Sequence, residues 1–269
     1  MYLADYHTHS RVSPDSTAPM LEMAAAAAEA GLDELCFTDH FEPVKPRTVI
    51  PLEEFDWGAL TAEYAETAAR WSGPVKLRLG LELGDAQVDE ARTERLLAGV
   101  PELDFIIGSV HMLSERFGLQ DIGWMQEPDE KTCYAEVEDY LGNLLKMALW
   151  GKFTVLGHMT LPLRYMNDYR GFHISLDGYG AELEEILRTL IQGGRGIEVN
   201  TTRGGRFLPD AQWLRLYRSL GGELITLGSD AHRPTDVGKG IREGQALLRE
   251  CGFTRFCTFE KQRPVWHAL

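Results

Sequence analysis

The run Leu3-Ala4-Asp5-Tyr6-His7-Thr8-His9 decides how the chain is read. It is a short β-type stretch that ends on two histidines spaced i, i+2. In a strand, such residues project to one face, so both imidazoles can reach one ion. The same arrangement, a short apolar run ending on His, Glu or Asp, recurs down the chain. His40 follows Thr38-Asp39, Glu82 follows Gly80-Leu81, and His111 follows Ser109-Val110. His158 follows Gly157, and Asp230 and His232 sit in Ser229-Asp230-Ala231-His232, again at i, i+2.

Strand-like runs lie at residues 3–7, 35–38, 75–83, 105–110, 153–157, 196–200 and 224–228. Between them, helical periodicity spans about 19–30, 53–71, 87–99, 129–149, 179–193, 210–220 and 239–250. The first helix starts after Pro19, runs through Ala24 to Ala28 and is closed by Gly31. Strands alternating with helices imply βα units and a parallel sheet. Seven units in one domain spanning 1–269 predict a closed or nearly closed (β/α)7 barrel, with a doubly wound open sheet as the alternative. In either, reactive residues belong at the C-terminal ends of the strands, where six of the eight histidines are expected. Six histidines and two carboxylates at one end of successive strands point to a polynuclear metal site. Nitrogen and oxygen donors without cysteine suit Zn, Mn or Fe(II). His173 reads as a surface-loop residue and His267 as structural or exposed.

The rest of the composition narrows the partners. The 269 residues are 44% hydrophobic and carry 27 Lys plus Arg against 41 Asp plus Glu, a formal net charge of −14. This argues against nucleic acid and against an anionic membrane surface. No apolar run reaches about 18 residues without charge, and Asp5 stands where a secretory signal would need a basic and then apolar start. Cys36, Cys133, Cys251 and Cys257 form no CxxC pair and are expected as buried thiols of a reducing cytosol, which places the chain in the cytoplasm. Oligomeric state is left open.

Taken in order, Asp5-Tyr6-His7-Thr8-His9-Ser10, Thr38-Asp39-His40, Gly80-Leu81-Glu82, Ser109-Val110-His111, Gly157-His158 and Ser229-Asp230-Ala231-His232 resemble the PHP family (polymerase and histidinol phosphatase). The chain is most similar to that family's stand-alone histidinol-phosphate phosphatases. The resemblance implies a distorted (β/α)7 barrel binding two or three divalent ions (Zn, Fe or Mn). It implies a first ion on His7, His9, Glu82 and Asp230, and a second on bridging Glu82 with His111 and His158. It implies a third on His40, His232 and a residue of the loop after the paired histidines. Many relatives have histidine at that loop position; this chain offers Asp15, which could otherwise be a turn residue before the Pro19 helix. The same resemblance makes Glu82, Asp230 and His232 the catalytic candidates.

Closely spaced cations in a negatively charged protein favour a phosphate ligand. Divalent metals polarise phosphoryl oxygens and generate hydroxide at neutral pH. Asp39 is a candidate orienter of a metal ligand. Arginine matches phosphate geometry with its planar fork. Arg164 lies six residues past His158, while Arg203 and Arg206 follow the sixth strand in Asn200-Thr201-Thr202-Arg203-Gly204-Gly205-Arg206. The resemblance implies one arginine from each loop on phosphate, with Arg203 and Arg206 sharing the second role; Asn200 is a candidate either for the pocket lining or for a turn. The segment 112–129, with Phe117, Trp124 and Met125, is a candidate wall or lid over the organic part of the substrate.

The expectation is a phosphomonoesterase acting on a small phosphorylated substrate, first of all L-histidinol phosphate. The alternatives are a related phosphoesterase for another small phosphate, a nucleotide or phosphotyrosine, hydrolysis of a carbon–nitrogen or ester bond, and a non-catalytic metal-binding module.

Overall fold

Seven parallel strands and the helices between them enclose one hydrophobic interior. The computed structural model describes residues 1–45, 48–126 and 129–269. In chain order the elements are β1 (Ala4–Thr8), α1 (Met20–Glu29), β2 (Glu34–Phe37), β3 (His40–Phe41), α2 (Trp57–Arg70), β4 (Lys76–Gly84), α3 (Glu90–Leu97) and β5 (Phe105–Ser109). Next come α4 (Glu130–Trp150), β6 (Val155–Leu156), α5 (Gly180–Gln192), β7 (Gly196–Asn200), α6 (Ala211–Ser219), β8 (Ile225–Gly228), α7 (Ile241–Glu250), β9 (Arg255–Glu260) and β10 (Arg263–Ala268).

The sheet order is β1-β2-β4-β5-β6-β7-β8, with the two-residue β3 continuing alongside the end of β4. Every pair in it is parallel. It closes on itself: Thr8 bridges Ala231 in parallel, Asp230 N donates to His7 O at 2.9 Å and His9 N donates to Ala231 O at 2.8 Å. The result is the distorted seven-stranded barrel. Helices on the outside and packed side chains within bury β1, β2, β5, β7 and β8 throughout, so the polar residues they carry, such as Asp5, Glu34 and Glu198, are buried with them.

The helix boundaries reflect local chemistry. α1 ends before Gly31, whose φ of +71° suits glycine. Asp56, Asp89, Asp129 and Asp210 each accept a backbone N–H in the first turn of α2, α3, α4 and α6. The expected 53–71 helix begins only at Trp57, because Asp56 caps it there.

Two elements depart from the repeating pattern. The chain from Arg164 to Tyr169 forms a π-helical turn. The C-terminal strands β9 and β10 form an antiparallel hairpin that the reading from periodicity did not include. β10 is exposed along most of its length, so it carries no buried pattern to detect. The hairpin turns through Lys261 and Gln262, both at positive φ. It lies across the N-terminal ends of the strands: Phe259 packs on Phe105 at 5.1 Å between ring centroids, and Tyr6 Oη donates to Phe259 O at 3.1 Å. Beneath it, Glu34 accepts hydrogen bonds from Tyr2, Tyr6 and Arg78. Among the described residues no helix is long and apolar enough to cross a membrane.

Candidate metal centre

The opposite end of the barrel gathers the strand-terminal histidines around one carboxylate. Glu82, at the end of β4, is 1% exposed. Its Oε2 lies 3.2 Å from His7 Nε2, 3.5 Å from His9 Nε2 and 3.1 Å from His40 Nδ1. Its Oε1 lies 2.9 Å from His158 Nε2 and 3.2 Å from His111 Nε2, and accepts a hydrogen bond from Ser109 Oγ at 2.7 Å. Asp230 Oδ1 stands 3.6 Å from His9 Nε2 and 3.9 Å from His7 Nε2. Asp15 Oδ2 stands 3.1 Å from His232 Nε2 and 3.6 Å from His40 Nε2. All nine residues singled out in the sequence therefore converge. His40 presents both ring nitrogens, one toward Glu82 and one toward Asp15.

The outer contacts dictate which nitrogen faces inward. His7 Nδ1 is 2.7 Å from Glu198 Oε1, and His9 Nδ1 is 3.1 Å from Ser13 Oγ, which itself donates to Asp39. With Nδ1 donating outward, each neutral ring turns a lone pair inward at Nε2. Asp39 thus acts on His9 through Ser13, and does not touch the His40 ring it adjoins in sequence. Asp5 accepts from Ser229 N, Ser229 Oγ and Gly238 N, and so holds the loop in which Asp230 adopts φ +60°.

His7 Nε2, His9 Nε2, His40 Nδ1 and Glu82 Oε2 are buried and make no hydrogen bond among the described residues. Buried polar atoms are ordinarily satisfied. Four electron-rich atoms facing one small volume are what a cation would satisfy, so the donor set fits divalent metal. Mutually close sets include His7, His9 and Asp230; His7, Glu82 and His158; His40, Glu82 and His111; and His9, His40 and His232. Burial works to raise the Glu82 carboxyl, but His7, His40 and His111 outweigh it and hold it well below the usual range. Asp230 is likewise held low despite burial, by Arg164 and the neighbouring histidines. Both stay carboxylates, as ligands must.

Above the cluster opens a cavity of about 550 Å³, lined by Asp15, His40, Glu82, His111, His158, Asp230 and His232 and by Arg164, Arg203, Arg233, Trp124 and Tyr165. Arg164, carried on the π-helical turn, donates from Nη1 to Asp230 Oδ2 at 2.9 Å and from Nη2 to Asn200 Oδ1 at 3.2 Å. Its buried Nε has no partner among the described residues. The two arginines of the sixth loop separate. Arg203 lines the cavity, whereas Arg206 forms a fork with Asp168, Nη2 to Oδ1 at 2.6 Å and Nε to Oδ2 at 2.9 Å. Arg206 is thus held away from the cavity by a carboxylate on the π-helical turn. Asn200 is fully buried behind Arg164, hydrogen bonded to it and to Glu198, so it supports the lining and does not form it.

In the 112–129 segment, Trp124 lines the cavity and Phe117 does not. Residues 127 and 128 of that segment lie outside the described residues. His173 is exposed, and His267 stacks on Tyr2 at 3.9 Å, both away from the cluster. Reading the sequence missed Glu198, Glu42 and Arg233. Glu198 reaches His7 from another strand, with no local signal; Glu42 follows β3, reaches His111 and also faces His40 two residues before it, and that i, i+2 spacing was the available clue. Arg233 directly follows His232, and that adjacency was the available clue.

Comparison with known proteins places this geometry in context. The family model described as PHP domain matches residues 5–202. A histidinol-phosphatase of Lactococcus lactis is 27% identical, over 95% of this chain and 93% of its own. A protein of Deinococcus radiodurans named probable histidinol-phosphatase is 29% identical, over 97% of this chain and 98% of its own. Among solved structures, the histidinol phosphate phosphatase of Lactococcus lactis, complexed with zinc, L-histidinol and phosphate, superposes with a TM-score of 0.79. That alignment has 24% identity and covers 98% of each chain.

Proposed function

The chain belongs to the PHP domain family, and from that premise we propose that it is a metal-dependent phosphomonoesterase that hydrolyses L-histidinol phosphate to L-histidinol and phosphate, a step of histidine biosynthesis. One observation carries the reading. Five histidines face the two oxygens of one buried carboxylate, Glu82, at the floor of a cavity that Arg164 and Arg203 line. The similar proteins named as histidinol-phosphatases, matched over nearly their whole length, supply the substrate.

In this proposal His7, His9, Glu82 and Asp230 hold one ion, Glu82, His111 and His158 a second, and Asp15, His40 and His232 a third. Divalent ions, when bound, supply Lewis acidity toward phosphoryl oxygens and a nucleophile at neutral pH. The chain's own residues do the rest. Glu82 joins two ligand sets and, like Asp230, stays an ionised donor. Arg164 and Arg203 present guanidinium N–H groups to the phosphoryl oxygens. Trp124 and Tyr165 wall the cavity where the organic part enters. The net charge of −14 makes nucleic acid a poor partner, and we place the protein in the cytoplasm.

The test is phosphate release from a panel of L-histidinol phosphate, nucleotides and phosphotyrosine, with metal analysis of the same sample. Histidinol phosphate is expected to give the highest kcat/KM. Glu82→Ala is expected to lose metal from both sets it joins and to fall to background. Near-normal turnover in that variant, or preference for another ester, overturns the assignment.

A further inference from the structure

Three arginines line the cavity above the metal centre, and the reaction as proposed draws on two of them. They stand at three levels of exposure. Arg164 is 3% exposed and bonded to Asp230 and Asn200. Arg203 is half-buried and Arg233 is exposed. Arg233 directly follows the ligand candidate His232 in the loop after β8.

Neighbouring cations are neutralised, and this one is not. Arg206 forks onto Asp168, and Lys239, in the same loop as Arg233, donates to Asp236 Oδ1 at 2.8 Å. The Arg203 and Arg233 side chains have no hydrogen bond or ion pair among the described residues, although Asp15, Glu42, Asp121 and Asp236 line the same cavity. The backbone that presents Arg233 is fixed on both sides. Ser16 Oγ donates to His232 O at 2.9 Å, and Asp236 N donates to Arg233 O at 3.0 Å. The loop is also tied to that of Arg203, whose N donates to Ser229 O at 2.9 Å. A held turn thus carries a free guanidinium at the entrance, on the loop adjoining that of Arg203.

Electrostatics decide what such a residue can do. A phosphomonoester carries a charge of roughly −1.5 to −2 at neutral pH, and a chain of net charge −14 repels it at a distance. An unpaired cation at the mouth reverses the field locally and raises the rate of capture. Solvent screens an exposed guanidinium, so it guides an anion inward better than it stabilises charge in the bond-breaking step. That second task suits the buried Arg164.

We propose that Arg233 is a capture residue, a further phosphate-binding group that meets the incoming ester at the mouth and passes it to Arg203 and Arg164. The inference rests on the phosphomonoesterase reading above and adds how a small anion enters an acidic protein.

The experiment compares the metal-loaded wild type with Arg233→Ala, Arg233→Lys and Arg233→Glu. It reads kcat and kcat/KM for L-histidinol phosphate from about 0.01 to about 0.15 M salt, over which the Debye length shrinks from about 30 to about 8 Å. Calorimetric binding of inorganic phosphate and metal content per chain are read on the same samples. Arg233→Ala is expected to lose about five- to tenfold in kcat/KM and in phosphate affinity at low salt, with kcat not below about half of wild type. The gap is expected to narrow as salt rises. Arg233→Lys is expected to recover most of it, since attraction over distance asks only for a charge, and Arg233→Glu to deepen it. A kcat that falls together with kcat/KM overturns the proposal, because Arg233 then acts in bond breaking. So does a loss that salt does not narrow, that Arg233→Lys does not recover, or that follows metal content in every variant. Unchanged kcat/KM and phosphate affinity return Arg233 to the solvated surface while the phosphatase reading stands. A wild type that releases phosphate from neither L-histidinol phosphate nor the other esters of the panel removes the phosphatase reading and this inference with it.

Discussion

At the scale of single residues, Glu198 shows how much of a metal centre lies outside its ligands. One oxygen takes the His7 Nδ1 hydrogen at 2.7 Å and the other takes His158 N at 2.9 Å. The same carboxylate therefore orients residues proposed for two different ions. Glu198→Gln keeps the shape and removes the charge. Zinc affinity is expected to drop roughly 10- to 100-fold, read by competition with a chelator on protein whose circular dichroism is that of wild type; unaltered affinity would show that His7 needs no such anchor. The arginines give a second test at this scale. Arg203→Ala is expected to lower kcat/KM about 10- to 100-fold, the loss of a contact of roughly 1.5–3 kcal/mol. Arg206→Ala should leave it within about twofold, since its guanidinium is engaged by Asp168. Equal losses in the two variants would mean that the Asp168 fork opens when substrate binds.

Among the elements, the C-terminal hairpin does for the lower end of the barrel what the loops do for the upper end. Phe259 meets Phe105, and its backbone N and O both bond to the Tyr6 hydroxyl, at 3.0 and 3.1 Å. Tyr6 adjoins His7 in β1, so the plug and the metal centre share a strand. Phe259→Ala opens a cavity in this contact and is expected to cost about 3–5 kcal/mol. That corresponds to a fall in Tm on the order of 10 °C for a chain of this size. Calorimetry checks it, and a Tm within a degree or two of wild type would show that the hairpin is an appendage. The seven strands were marked by short β-type runs rich in Leu, Ile, Val and Phe between helical segments. That signal passed over β10, whose side chains are mostly exposed, and the two-residue β3, which exists only because His40 and Phe41 pair with β4.

For the whole molecule, closure of the barrel buries all four cysteines as thiols, with no disulfide between them. Burial pushes the Cys257 thiol up to about 12 and the Cys36 thiol well above its usual value. Only the thiolate reacts readily. The native protein at pH 8 is expected to give almost no colour with a disulfide reagent such as DTNB over minutes, and four equivalents in denaturant. Rapid native reaction of one or more thiols would mean that the interior opens locally. The acidic surface and the arginine-lined cavity also make sense together: charge that would repel a polyanion leaves a small phosphate one favourable place to go.

The order of elements, the end of the barrel that carries the site and eight of the nine converging donors were legible in the chain itself, while Asp15, in a loop, was marked only by the family resemblance. Each rests on a local regularity: two-residue alternation in a strand, helical periodicity between strands, and a polar residue closing each apolar run. The consequences of packing were not legible. No spacing separates Arg203 from Arg206; the position of Asp168 on the π-helical turn does. No motif marks Glu198 or Asp85, or the reach of Glu42 to His111, because each meets its histidine there from another strand or loop. Glu198 lies 191 residues from His7, Glu42 lies 69 from His111, and Asp85 lies 26 from His111. Asn200, at the end of its strand, was as good a candidate for the cavity wall as any, until Arg164 folded over it. Local periodicity sets which way a side chain faces, and contacts between distant strands decide what it meets there.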